Sequence, residues 1–80
     1  MIKEKKISKE FGLKAPDCAT IAQTASKFKS AVFVVKENKK VNAKSIMGLI
    51  SLNMKCGDSI FLSISGVDED AAFSEIYNLL

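Results

Sequence analysis

The stretch Ala31-Val32-Phe33-Val34-Val35-Lys36-Glu37-Asn38-Lys39-Lys40-Val41-Asn42-Ala43-Lys44-Ser45-Ile46-Met47-Gly48-Leu49-Ile50-Ser51-Leu52 passes from strand to turn to strand to helix, and its reading decides the fold. Ala31–Lys36 is β-branched and aromatic, the composition of a strand. Glu37-Asn38-Lys39 reads as a tight turn, with Asn38 the residue expected at a positive φ. Lys40–Lys44 then returns as a second strand and closes a hairpin. Ser45 is a favoured N-cap, and it opens a short helix over Ile46–Leu52.

Toward the N-terminus, Ala15–Phe28 reads as a helix. Pro16 sits in its first turn, where a missing N–H costs nothing, and Asp17 suits the positive helix end. Cys18, Ile21, Ala22, Ala25 and Phe28 recur at three- and four-residue steps, an apolar stripe that must face a core. Ile2–Lys9 is a weaker strand, because Ile2 and Ile7 fall on opposite parities, and Phe11-Gly12-Leu13-Lys14 is a loop. Toward the C-terminus, Asn53–Asp58 is a loop, and Ser59–Ser65 alternates strictly, with Ile60, Leu62 and Ile64 on one face. Asp68 caps a final helix whose inner stripe is Ala72, Phe73, Ile76 and Leu80. Strand, helix, strand, strand, short helix, strand, helix is the order of a two-layer α+β domain with helices on one side of an antiparallel sheet. One domain over residues 1–80 is expected.

Composition excludes much chemistry. Twelve lysines, no arginine and nine acids leave a net charge of +3. The lysines are dispersed, and neither arginine nor stacking aromatics accompany them, so direct nucleic-acid binding is not expected. With no histidine there is no imidazole catalyst or imidazole metal ligand, and with no arginine no guanidinium fork for phosphate. No cofactor, no metal and no enzymatic activity are expected. No apolar run reaches the ~20 residues of a membrane span. Cys18 and Cys56 lack metal-ligand spacing, and the charged first residues lack a signal-peptide h-region, so a reducing cytoplasm is expected.

The run Val41-Asn42-Ala43-Lys44-Ser45-Ile46-Met47-Gly48-Leu49-Ile50-Ser51-Leu52 closely resembles the HPr family, the small phosphocarriers of the bacterial sugar phosphotransferase system. The type nearest in character is their regulatory paralogue, the catabolite-repression HPr. Gly12-Leu13, Ala25-Ser26-Lys27-Phe28 and the strand between Gly57 and Gly66 fall in step with it. The resemblance implies an open-faced β-sandwich of order βαββαβα, with a four-stranded antiparallel sheet in the order 1-4-2-3.

The family's phosphorylated loop reads Gly-Ile-His-Ala-Arg-Pro-Ala, where this chain has Gly12-Leu13-Lys14-Ala15-Pro16-Asp17-Cys18. Lys14 stands at the histidine position, Pro16 at the arginine and Asp17 at the proline. A neutral imidazole is a nucleophile; an ammonium on a loop tip stays protonated, and Asp17 adds negative charge where a phosphoryl group would sit. Histidine phosphocarrier activity is therefore not expected. Cys18 is the other nearby nucleophile, and it supports a rival reading as a phosphoryl-transfer component, although its place on the apolar stripe favours a buried small residue.

By the same resemblance, Ser45 corresponds to the serine modified by the HPr kinase/phosphorylase. As an N-cap it also has a purely structural use, and a phosphate there would meet free backbone N–H groups, screened by Lys44 and Lys40. The short helix is apolar on almost every side, so part of it must face outward. The resemblance makes Ile46, Met47 and Ile50 that outward set, flanked by Lys14 and Lys44, docking to the kinase and to a catabolite-control transcription factor. Family contacts to the transcription factor also use the arginine that is Pro16 here. Val32 and Val34 share one strand face and Phe33 and Val35 the other, and both cannot be core. In the family's strand order Phe33, Val35 and Phe61 form an apolar patch on the open sheet face, where self-association as a homodimer or partner contact is expected. The remaining alternative is a specialised interaction protein in which Ser45 is only a cap.

Overall fold

The computed structural model describes residues 1–80. Its elements are β1 (Ile2–Lys6), α1 (Ala15–Ser26), β2 (Ala31–Lys36), β3 (Lys39–Asn42), α2 (Ile46–Ser51), β4 (Ser59–Ser65) and α3 (Glu69–Tyr77). The strands form one antiparallel sheet in the order β1-β4-β2-β3. The three helices lie against one face, as the α+β reading requires.

Strict alternation along β4 explains its central position. Ile60, Leu62 and Ile64 are fully buried beneath the helices, and Val32 and Val34 of β2 lie opposite Ile64 and Leu62. Ile21, Ala22 and Ala25 of α1, Leu49 of α2, and Ala72 and Ile76 of α3 close the same core. The amphipathic stripes thus do what their spacing dictates. Burying a Leu or Ile side chain completely contributes about 1.5–3 kcal/mol, so the sheet's helix-covered face is the main source of stability.

The parity conflict in the first strand has a simple resolution. Ile2 is outward, paired with Ser63 on the open face, whereas Ile7 follows on the helix side and is buried. The strand ends at Lys6 rather than Lys9, although Ile7 still exchanges backbone hydrogen bonds with Asp58 and Gly57. Both edge strands carry lysines, Lys3, Lys5 and Lys6 on β1 and Lys39 and Lys40 on β3, which discourages edge-to-edge pairing.

Several expected boundaries shift. The hairpin loop contains two residues, because Lys36 pairs with Lys39, and Glu37 rather than Asn38 takes the positive φ, 56°. The third strand therefore runs Lys39–Asn42, not Lys40–Lys44. Asn42 then turns the chain: its side-chain oxygen accepts from the Lys44 amide. The first helix stops at Ser26, two residues short of Phe28, and α2 stops at Ser51. Phe28 still packs on the core from the following turn.

Two glycines are required by close approach. At Gly12 (φ 73°) a Cβ would stand 2.7 Å from the Met54 carbonyl oxygen. At Gly66 (φ 152°) it would stand 2.6 Å from Ser30 Cα. The first contact presses the β1–α1 loop against the segment following α2, and the Leu13 amide donates to the Met54 carbonyl at 3.0 Å.

Candidate functional site

The loop entering α1 is the first part of the site. Lys14 is the N-cap residue, in extended conformation, with its side chain exposed. Asp17 Oδ2 accepts from the Lys14 amide at 2.9 Å. That is only half of a reciprocal cap, since an ammonium has no lone pair to accept from the helix. Pro16 contributes no N–H at all. The positive end of α1 is thus partly consumed by the chain's own carboxylate.

Cys18 lies one step further along and is 1% exposed. Burial, and secondarily the neighbouring Asp17 carboxylate, push its thiol above the ordinary cysteine value. A buried thiol that resists ionisation is a poor nucleophile, which agrees with its reading as a core residue. Cys56 is the exposed thiol. No group of three or more His, Cys, Asp or Glu side chains is arranged to hold a metal ion. No helix is long and apolar enough to cross a membrane.

The second part is α2. Ser45 is exposed at its N-cap, and its Oγ accepts from the Gly48 amide at 3.1 Å. Asn42 and the Ala43–Lys44 turn aim it there, because they end β3 and redirect the chain over the core. Leu49 and Leu52 point inward and are buried. Ile46 is 40% exposed, Met47 75% and Ile50 39%, so the helix does present the expected apolar set to solvent. A six-residue helix on a sheet cannot bury its whole circumference, and these three side chains are the remainder.

The lysines depart from expectation. Lys44 Nζ donates to the Phe28 carbonyl at 2.9 Å, capping the end of the α1 segment rather than standing at Ser45. Lys40 Nζ lies 4.5 Å from the centre of the Phe33 ring, on the opposite side of the sheet from α2. Each ammonium is held by a neutral partner away from the Ser45 hydroxyl and makes no hydrogen bond to it. Sequence reading also missed Lys36 and Lys39. Their ammonium groups reach the carbonyls at the C-terminal end of α2. No local pattern in the sequence signals these long-range contacts.

On the open sheet face Val35 lies opposite Phe61, and Phe33 opposite Ser63. Phe61 is 46% exposed, while Phe33 and Val35 are half-buried, the Lys40 stem covering part of the patch. Ile2, 66% exposed, extends this apolar surface across β1.

Comparison with known proteins fits the fold. Residues 2–80 match the family model described as PTS HPr component phosphorylation site. The HPr-like protein Crh of Halalkalibacterium halodurans is 42% identical over 74 residues, 92% of this chain and 88% of that one. Among solved structures, the phosphocarrier protein HPr of Bacillus anthracis superposes with a TM-score of 0.94 at 34% identity, over 100% of this chain and 95% of that one. The Bacillus subtilis catabolite-repression protein Crh, described as a domain-swapped dimer, gives a TM-score of 0.79 at 40% identity, over 99% and 92% of the two chains. The family match along nearly the whole chain, the similar relatives and the close superposition lead to one conclusion: the chain belongs to the HPr family of phosphocarrier and regulatory proteins.

Proposed function

We propose that this chain is a regulatory member of the HPr family that has no histidine phosphocarrier activity. It acts through phosphorylation of Ser45 and through contacts made by α2. The observation that carries the reading is the contrast between the family's two phosphorylation positions in this chain. Lys14 stands where the carrier histidine belongs, with Asp17 bonded to its amide, whereas Ser45 retains an exposed hydroxyl at a helix N-cap beside Ile46, Met47 and Ile50. A phosphorylated Ser45 adds about 1.5–2 negative charges at the positive end of α2, which favours it electrostatically. The cap hydrogen bond and the modification are compatible uses of one oxygen.

The partners that follow are the HPr kinase/phosphorylase and a catabolite-control transcription factor, meeting Met47, Ile46 and Ile50 with Lys14 and Lys44 at the margin. Pro16 replaces the family arginine in the second of these contacts. The protein is then a cytoplasmic regulator and not an enzyme. Self-association through Phe33, Val35 and Phe61 is part of the same proposal, and the dimeric Crh of Bacillus subtilis supports a tendency of such chains to pair.

Incubation with HPr kinase and ATP tests the reading. One phosphate should be added, and none to the Ser45→Ala variant; no mass shift in the parent protein overturns it. Phosphoenolpyruvate with enzyme I should label nothing.

A further inference from the structure

Helix α2 has six residues and buries only Leu49 of its own length. Isolated helices shorter than about 12–15 residues are marginal in water, so something outside the helix must hold it. At its N-terminal end that is Ser45. At its C-terminal end the chain has assembled a second device from the β2–β3 hairpin.

Lys36 Nζ donates to the Leu52 carbonyl at 3.1 Å and to the Asn53 carbonyl at 2.9 Å, and stands 2.8 Å from Asp58 Oδ2. Its three donors therefore meet three acceptors, and its side chain is only 18% exposed. Lys39 Nζ adds a longer contact, 3.3 Å, to the Ser51 carbonyl. Asn53 turns into the left-handed region, φ 49°, a conformation that terminates helices. Asp58 is itself fixed, accepting from the Lys55 amide at 2.8 Å. The unpaired carbonyls of a helix C-terminus carry partial negative charge, and here cations on a neighbouring strand neutralise it.

We propose that Lys36 is a positioning residue for α2. Its ammonium ties the Leu52 and Asn53 carbonyls, which immediately follow the helix, to β2 and to Asp58 at the entrance of β4, and so sets the pitch at which Ile46, Met47 and Ile50 face solvent. The use of that pitch for docking rests on the function proposed above; the clamp does not.

Amide hydrogen exchange on the full chain tests this, with Lys36→Met keeping the aliphatic stem and removing the charge. The Leu52 and Asn53 amides, bonded to the Leu49 and Ile50 carbonyls, should exchange about ten- to a hundred-fold faster, while the Leu62 and Ile64 amides in β4 keep their rates. In the same variant the Asp58 carboxyl, followed by NMR, should titrate closer to an ordinary aspartate, which a merely space-filling Lys36 would not cause. Asp58→Asn, a milder change, should reproduce the local acceleration at smaller size, and it carries the test if Lys36→Met does not fold. Uniform acceleration across the sheet, or unchanged rates at Leu52 and Asn53, overturns the proposal. These rates are read without a partner. Localised acceleration with no kinase labelling of Ser45 defeats only the docking reading, whereas labelling with uniform acceleration defeats only this one.

Discussion

The amide of Lys14 donates to the carboxylate of Asp17, 2.9 Å away, and this bond holds the chain's own negative charge at the N-terminal end of α1. Two of the loop's substitutions act together here. Lys14 removes a nucleophile, and Asp17 supplies from within the chain the negative charge that an anion would otherwise bring.

Restoring the histidine alone should not restore phosphoryl transfer. In Lys14→His the Asp17 carboxylate would still sit at the helix end, bonded to the amide of residue 14, and Pro16 would still supply neither an N–H nor a guanidinium. Labelling by phosphoenolpyruvate and enzyme I should stay near background in that variant. It should rise only when Pro16→Arg and Asp17→Pro are added. Strong labelling of Lys14→His by itself would show that Asp17 does not obstruct the site.

The two thiols should separate cleanly under alkylation at neutral pH. Cys56 is exposed, whereas Cys18 is buried and its thiol is pushed up. Iodoacetamide should add one group to the native protein, at Cys56, and a second only in denaturant. Rapid native modification of Cys18 would reopen its reading as a phosphoryl acceptor.

How far the sequence alone reached depended on the kind of interaction involved. The order of elements and the core positions of β4 were legible, because they follow from a period of two or of about 3.6 residues; the outward set of α2, apolar on almost every side, was legible only through the family resemblance. The departure of Gly12–Cys18 from the family's loop motif, with Lys14 at the histidine position, was legible directly. The hairpin was found, but its positive φ fell on Glu37 and not on Asn38, since the Lys36–Lys39 pairing leaves only two loop residues. The lysine network was not legible. Lys36 reaches Leu52, Asn53 and Asp58 across 16 or more residues of chain, and Lys44 reaches back to Phe28; no local pattern encodes such tertiary partners.

Ser45→Ala should destabilise the fold by about 1 kcal/mol, the ordinary worth of a serine N-cap. Ser45→Asp should cost much less, because aspartate accepts from the same Gly48 amide and adds charge at the favourable helix end. Urea denaturation of the three proteins checks the order. Equal losses in both variants would mean that the hydroxyl serves something other than the cap.

Stability should fall as acid is added. Asp58 is held below the ordinary aspartate value, first by its bond to Lys36, and Asp68 is held below it, first by the Ser30 hydroxyl. The folded state therefore binds fewer protons than the unfolded chain near pH 4. The stabilisation is complete above the unfolded value of about 3.9 and disappears as pH drops through the lowered folded values. Urea midpoints from pH 7 to pH 2 should decline most steeply below pH 4, and less steeply in Asp68→Asn or Asp58→Asn. A slope unchanged in both variants would assign acid sensitivity to other carboxylates.

Phe61 offers the sharpest test of self-association. It is the most exposed aromatic on the open sheet face, lies directly across from Val35, and has Glu4 as its neighbour on β1. Phe61→Lys places a charge at the centre of the apolar patch without touching the helix-covered core, since the same strand sends Ile60 and Leu62 to the other side. A dimer formed through this face should dissociate, because an unpaired buried charge at an interface is strongly unfavourable. Light scattering at high concentration should show a mass above that of the monomer for the parent protein and a monomer mass for Phe61→Lys. A parent protein that stays monomeric throughout would remove the patch as a self-association surface. A variant that still dimerises would direct attention to another interface.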